Sequence, residues 1–166
     1  MNMVRRFVIA LGTWLAGLAF FILVVLLGMR AKSPFALRLV RAFNHRFANP
    51  RQMKTAGKAG AYAGVIRHVG RRSGAIHETP VGPFATDAGF VIALPYGTSP
   101  DWVKNVLAAG SATVVTEGQT YEVDQPEIVP LADVVDVVPE KDRRSLRLFR
   151  VEQAMRVRRT EAGDDR

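Results

Sequence analysis

From Phe7 to Met29 the chain carries 23 consecutive residues without a charge. Beyond them the apolar positions recur first every four residues and then every two. As a helix the uncharged run reaches about 34 Å, enough for a hydrocarbon core of about 30 Å. A secretory leader has an apolar core of about 7–15 residues and a small-residue cleavage site. Here the run is longer and closes on Gly28-Met29-Arg30-Ala31-Lys32, so the pattern predicts a retained anchor over residues 1–32. Gly12 and Ala16 give it one small-xxx-small step for packing against another helix. Arg5 and Arg6 precede the run, and Arg30, Lys32, Arg38, Arg41 and Arg46 follow it. The larger basic cluster is expected to stay cytoplasmic, which makes the chain single-pass in the cell membrane with its C-terminal domain inside.

Ser33-Pro34 reads as a helix start, with a capping serine and proline at the first helical position. Phe35, Leu39, Phe43 and Phe47 then repeat every four residues, with Arg38, Arg41, His45 and Arg46 on other faces. This predicts a basic amphipathic helix over 33–50, ended by Asn49-Pro50, that suits either an anionic lipid surface or the edge of a globular core. Residues 51–62 are small, basic and aperiodic and read as a loop opening the domain over 51–166.

A series of short β-type runs follows: Ala63 to Val69, Ala75 to Thr86, Gly89 to Tyr96, Ser111 to Thr116 and Gln119 to Val129. The turns between them, Asp87-Ala88-Gly89 and Glu117-Gly118 among them, are of hairpin length, so antiparallel pairing is expected. One helix interrupts the series, opened by Ser99-Pro100-Asp101, striped by Trp102, Val103, Val106 and Leu107 and closed by Gly110. Five strands with one inserted helix predict a small β-barrel in an α+β chain. A helix from about Leu131, a basic helix over Val151–Arg159 and a polar tail over Thr160–Arg166 complete the expectation.

Composition narrows the chemistry. At 166 residues and 48% hydrophobic the chain has room for one ordinary domain. It has no cysteine, which removes disulfides, thiolate metal sites and a cysteine nucleophile. His45, His68 and His77 match no compact zinc spacing. The net charge is +8, yet the first 77 residues hold 13 basic residues and no acid. A basic front of this kind points to an anionic partner. No recognition helix and few interleaved aromatics accompany it, so nucleic acid is not expected.

Gly70-Arg71-Arg72-Ser73-Gly74, between two strands, is the stretch most suggestive of a site. Glycines at both ends permit positive φ and an anion nest of N–H groups, while Arg71 and Arg72 bring charge and Ser73 a hydroxyl. The same residues also describe a solvated hairpin turn. Pro80-Val81-Gly82-Pro83 implies a bulge or an edge. Tyr96 offers a phenol, Asn105 an amide, and Trp102, three residues before Asn105, shares its helix face. His68 and His77 flank the turn with no partner that would build a hydrolase triad, so a bound cofactor is the more natural carrier of chemistry.

The run Val65-Ile66-Arg67-His68-Val69-Gly70-Arg71-Arg72-Ser73-Gly74, then Glu78-Thr79-Pro80-Val81, then Asp101-Trp102-Val103-Lys104-Asn105 resembles the deazaflavin-dependent nitroreductase family. These are split β-barrel flavin/deazaflavin oxidoreductases of actinobacteria, and the resemblance covers roughly residues 60–130. It implies an FMN-binding-like split β-barrel that takes coenzyme F420, with FMN the lesser alternative, and passes hydride to a quinone-like, nitro or other apolar acceptor such as a menaquinone. It also implies that Arg71, Arg72, Ser73, Gly74 and His77 hold the coenzyme's phosphate and acidic tail. Pro80, Val81, Leu94, Pro95 and Tyr96 would line the ring, Trp102 and Asn105 would close the pocket, and Tyr96 would be the candidate proton donor. The chain departs from the family in carrying His77 where an arginine is common, in a short Tyr96–Asp101 loop, and in lacking paired tyrosines after Leu131. A non-catalytic holder of the coenzyme or a flavin, and a basic module on anionic lipid, are the competing expectations.

Overall fold

The computed structural model describes residues 3–160; at positions 3–10, 18, 19, 21, 22, 29, 45 and 47 it describes the backbone alone. The chain divides into two compact units, Met1–Phe43 and Asn44–Arg166. In the first, helix α1 (Met3–Arg30) turns through Lys32, at φ 51°, into α2 (Pro34–Phe43). The turn is tight because Gly28 has no side chain: a Cβ there would lie 2.6 Å from that of buried Ala36. Phe35, Leu39 and Phe43 of α2 are exposed. Among the described residues no helix is long and apolar enough to cross a membrane. The spanning run expected over 7–29 falls partly on side chains outside that description.

The second unit opens on a π-helical turn (Asn44–Ala48) and the short helix α3 (Asn49–Gln52). The helix expected to stop at Asn49-Pro50 therefore continues. Pro50 sits in the first turn of α3, where a missing N–H is harmless. The wide π turn before it relieves the ring's clash with the carbonyl four residues back. Of residues 51–62, expected as a loop, Arg51 and Gln52 end α3 and the remainder is a loop that is pinned. Gly118 donates its N–H to the Gly57 carbonyl at 2.7 Å, and Gly60 donates to the Glu117 carboxylate at 2.7 Å.

Seven strands follow: β1 (Gly64–Val69), β2 (Ile76–Val81), β3 (Pro83–Ala85), β4 (Gly89–Ala93), β5 (Ser111–Thr116), β6 (Gln119–Pro130) and β7 (Gln153–Arg159). They make one antiparallel sheet in the order β2-β1-β5-β6-β7-β4-β3. The two end strands of that order are consecutive in sequence. The single run expected over Ala75–Thr86 is broken at Gly82, its first half pairing with β1 and its second with β4, so the sheet curls into a half-barrel. Pro80 and Pro83 lie on these end strands, where a missing N–H does not interrupt a ladder. Gly64, opposite Val81, makes the close approach beneath: a Cβ there would meet the Pro83 ring at 2.8 Å and the Val115 carbonyl at 2.9 Å. Glu117 (φ 51°) and Gly118 (φ 73°) form the tight left-handed turn between β5 and β6.

Helix α4 (Asp101–Ala109) packs its buried Val103 and Val106 with Ile66, Phe90, Ile92 and Met155 into the main core. Pro100, not Ser99, occupies its N-cap, and Gly110 at φ 72° closes it. A second core forms on the other side of the sheet, where Val91 and Ala154 meet Leu131 and Val138. Leu131–Val137, expected as a helix, is a 3-10 segment, and α5 (Glu140–Leu148) follows it. The basic helix expected over Val151–Arg159 is instead β7. That strand is buried on both faces, Ala154 toward one core and Met155 and Val157 toward the other. Adjacent apolar residues therefore disguise its two-residue period as the 3.6-residue one. Its last residue, Arg159, lies over the rings of Phe90 and Tyr121 at 5.1 and 4.7 Å. The tail over 161–166 lies outside the described residues.

The close approach at Gly64 yields a stability prediction. Gly64→Ala should destabilise the protein by about 1–3 kcal/mol, the usual cost of overpacking, as a lowered urea midpoint with unchanged slope.

Candidate functional site

The turn between β1 and β2 is built from its hydrogen bonds. Gly70 donates its N–H to the Ala75 carbonyl at 2.8 Å, and Gly74 donates to the Gly70 carbonyl at 2.8 Å. The Ala75 N–H reaches Ser73 Oγ at 3.3 Å, and the Arg71 N–H reaches Asn105 Oδ1 at 3.2 Å. Only Gly74, at φ 67°, uses the left-handed freedom expected of both glycines. Gly70 is needed for space: a Cβ there would sit 2.5 Å from Ser73 Oγ and 2.9 Å from His77 Nε2. The hydroxyl and the imidazole thus converge over the Gly70 backbone.

The two arginines have different fates. Arg71 turns inward, its Nη1 donating to Asn105 Oδ1 at 2.7 Å and its Nη2 pairing with Asp101 at 2.9 Å. That pairing holds the Asp101 carboxyl below its ordinary value, first through the hydrogen bond from Arg71. Arg72 is exposed and makes no ion pair among the described residues. Arg67, one strand inward, is matched to Glu78 at 2.6 Å. The turn therefore presents Arg72 as a cation outside any ion pair, near enough to Asp101 to help hold that carboxyl down. The N–H groups of Arg72 and Ser73 are its two amides without a hydrogen bond among the described residues. Consecutive free amides beside a guanidinium suit an anion.

Behind the turn lies a buried polar chain. Asn105, on α4, is 5% exposed, and so is His68, on β1. Asn105 Nδ2 meets His68 Nδ1 at 3.2 Å, and His68 Nε2 meets Thr79 Oγ1 at 3.3 Å. With the amide oxygen taken by Arg71, the amide nitrogen must donate, so His68 Nδ1 accepts and Nε2 carries the proton. Burial first, and then the neighbouring His77, lower the His68 pKa from 6.5. The two imidazoles stack at 5.7 Å, from positions paired across β1 and β2.

The remaining expected residues divide. Pro80 is half-buried on β2 with Val81 buried beside it. Pro95 is exposed and Tyr96 half-buried in the loop after β4, where Asn44 Nδ2 donates to the Tyr96 hydroxyl at 2.6 Å. Leu94, 3% exposed, belongs to the main core, and Trp102 packs against it. Arg72, Ser73, Gly74 and His77 are exposed at the turn and the start of β2, and Pro80, Pro95 and Tyr96 keep some exposed surface. Arg71, Leu94 and Asn105 are used internally. Asn44 was not anticipated, since no pattern ties a helix-interior asparagine to a tyrosine 52 residues on. No group of three potential metal-ligating side chains occurs among the described residues.

No family model and no curated protein matches the chain. Solved structures do match, one of them at TM-score 0.38 and 10% identity, over 66% of this chain and 76% of that one. A likeness this weak carries no argument.

The buried imidazole makes a pH prediction. Its pKa in the folded protein lies below the unfolded value, so the unfolded chain binds more protons between the two. The His68 contribution to stability therefore declines as pH falls through 6.5 and levels off below its folded pKa. His68→Gln, which keeps an acceptor for Asn105 and a donor for Thr79, should flatten that component when urea unfolding of both proteins is followed from pH 7.5 to 5.

Proposed function

We propose that the chain is a membrane-anchored oxidoreductase on a split β-barrel of the FMN-binding type. It uses reduced coenzyme F420 to deliver hydride to an apolar acceptor of the quinone or nitro class. The observation that carries the reading is the Gly70–Gly74 turn, with two unused amides, one unpaired arginine and His77 beside them. The ordered motifs around it, Glu78-Thr79-Pro80-Val81 and Asp101 through Asn105, support the same family. When bound, the reduced deazaflavin supplies the hydride. Arg72, the Arg72 and Ser73 amides and His77 hold its phosphate and acidic tail. Pro80, Pro95 and Tyr96 border the ring, and Asn44 orients the Tyr96 hydroxyl toward a proton-donating role. Hydride transfer between bound partners depends on positioning more than on a strong acid or base, which accords with His68 being buried and neutral.

The uncharged run over 7–29 anchors the chain, and its basic flank keeps the second unit cytoplasmic. A menaquinone-like acceptor dissolved in the bilayer is then close to the catalytic domain. The exposed Phe35, Leu39 and Phe43 of α2, with Arg38 and Arg41 nearby, suit the anionic headgroup layer.

Fluorescence titration of the full chain in detergent tests the reading. It should bind oxidised F420 more tightly than FMN, and Arg72→Ala should weaken F420 binding at least tenfold, about the loss of one charged hydrogen bond. Reduced F420 should then turn over menadione. Binding without turnover would make the chain a holder of the coenzyme, and no binding to either cofactor would refute the proposal.

A further inference from the structure

Asn105 stands where an amide facing a ligand was expected, yet it faces inward. Its oxygen accepts from both the backbone N–H and the guanidinium of Arg71, while its nitrogen donates to His68. His68 is in turn fixed by Thr79 on β2. One side chain on α4 thus grips Arg71, the second residue of the turn, twice and is itself oriented from β1. No buried side-chain polar atom among the described residues lacks a partner, so the amide cannot rotate without breaking the whole chain. Turning it over would set its NH2 against the Arg71 donors and its oxygen against the acceptor nitrogen of His68.

We propose that Asn105, held by His68, is the positioning residue that fixes the Gly70–Gly74 turn in its anion-accepting form. The inference rests on the reading of that turn as the phosphate site of a deazaflavin. Asn105 draws the Arg71 N–H and guanidinium toward α4, which leaves the exposed Arg72 side chain and the Arg72 and Ser73 amides without a bond within the turn. Its effect should be confined to the phosphate-bearing end of the ligand, because its bonds run to Arg71 and His68 behind the turn.

The test compares two probes on the full chain in detergent. One is F420; the other is the same deazaflavin with its ribityl chain but without phosphate and acidic tail. Asn105→Ala should weaken F420 about tenfold and leave the truncated probe within about twofold. Asn105→Asp still accepts from Arg71 but cannot donate to His68 Nδ1. It should recover most of the preference for F420 and raise the His68 titration seen by NMR. Parallel losses for both probes in Asn105→Ala, or no loss for either, would overturn the proposal, as would Asn105→Asp behaving like Asn105→Ala. If the unmodified chain binds neither deazaflavin, the cofactor reading fails, and inorganic phosphate becomes the probe. Phosphate should then shift the Arg72 and Ser73 amide resonances in the unmodified chain and not in Asn105→Ala. Equal shifts in both, or none in either, would overturn the positioning role as well.

Discussion

A primary amide offers two donors and two acceptor lone pairs, and burying one is costly unless they are used. Asn105 is buried on the inner side of α4, and its bonds run to the turn and to His68. Helix, strand and loop meet there with no freedom to adjust independently. The geometry of the turn follows: Arg71 is drawn in, Arg72 is left out, and the polar face of the second unit takes its form. A valine at that position would leave the Arg71 N–H without its acceptor.

Charge and topology reinforce this arrangement. The first acid in the chain is Glu78, and it matches Arg67 across β1 and β2. The next nearby carboxylate, Asp101, matches Arg71. These exposed pairs contribute little stability, but they decide which cations stay outside an ion pair beside the turn. The curl of the sheet brings the supporting pieces together. Because β2 and β3 are halves of one extended stretch broken at Gly82, Thr79 supports His68 while Pro83, four residues on, reaches β4.

Much of this fold was legible because most strands bury one face and end on strong turn residues. β5 matched its expected bounds, and Glu117-Gly118 turned where two left-handed residues were needed. Legibility failed where burial is two-sided or the decisive partner is remote. Residues 151–159 looked helical because Ala154 and Met155 are both apolar yet face opposite cores. Within the site, Arg72, Ser73 and Gly74 are exposed, whereas Arg71 and Asn105 bond to one another and Leu94 lies in the main core; sequence gives residue type and spacing but not which way a buried polar group is satisfied. Asn44 meets Tyr96 through a π turn that the Phe35–Phe47 repeat does not announce.

The central claim is that the turn between β1 and β2 receives the anionic end of a deazaflavin while Asn105 stays behind it. Mapping amide resonances of the full chain in detergent as F420 is added tests that claim most directly. The account predicts that the largest shifts fall on the backbone amides of Arg72 and Ser73, with the Asn105 side-chain amide unmoved. Shifts centred on Asn105, or on residues far from the turn, would contradict it.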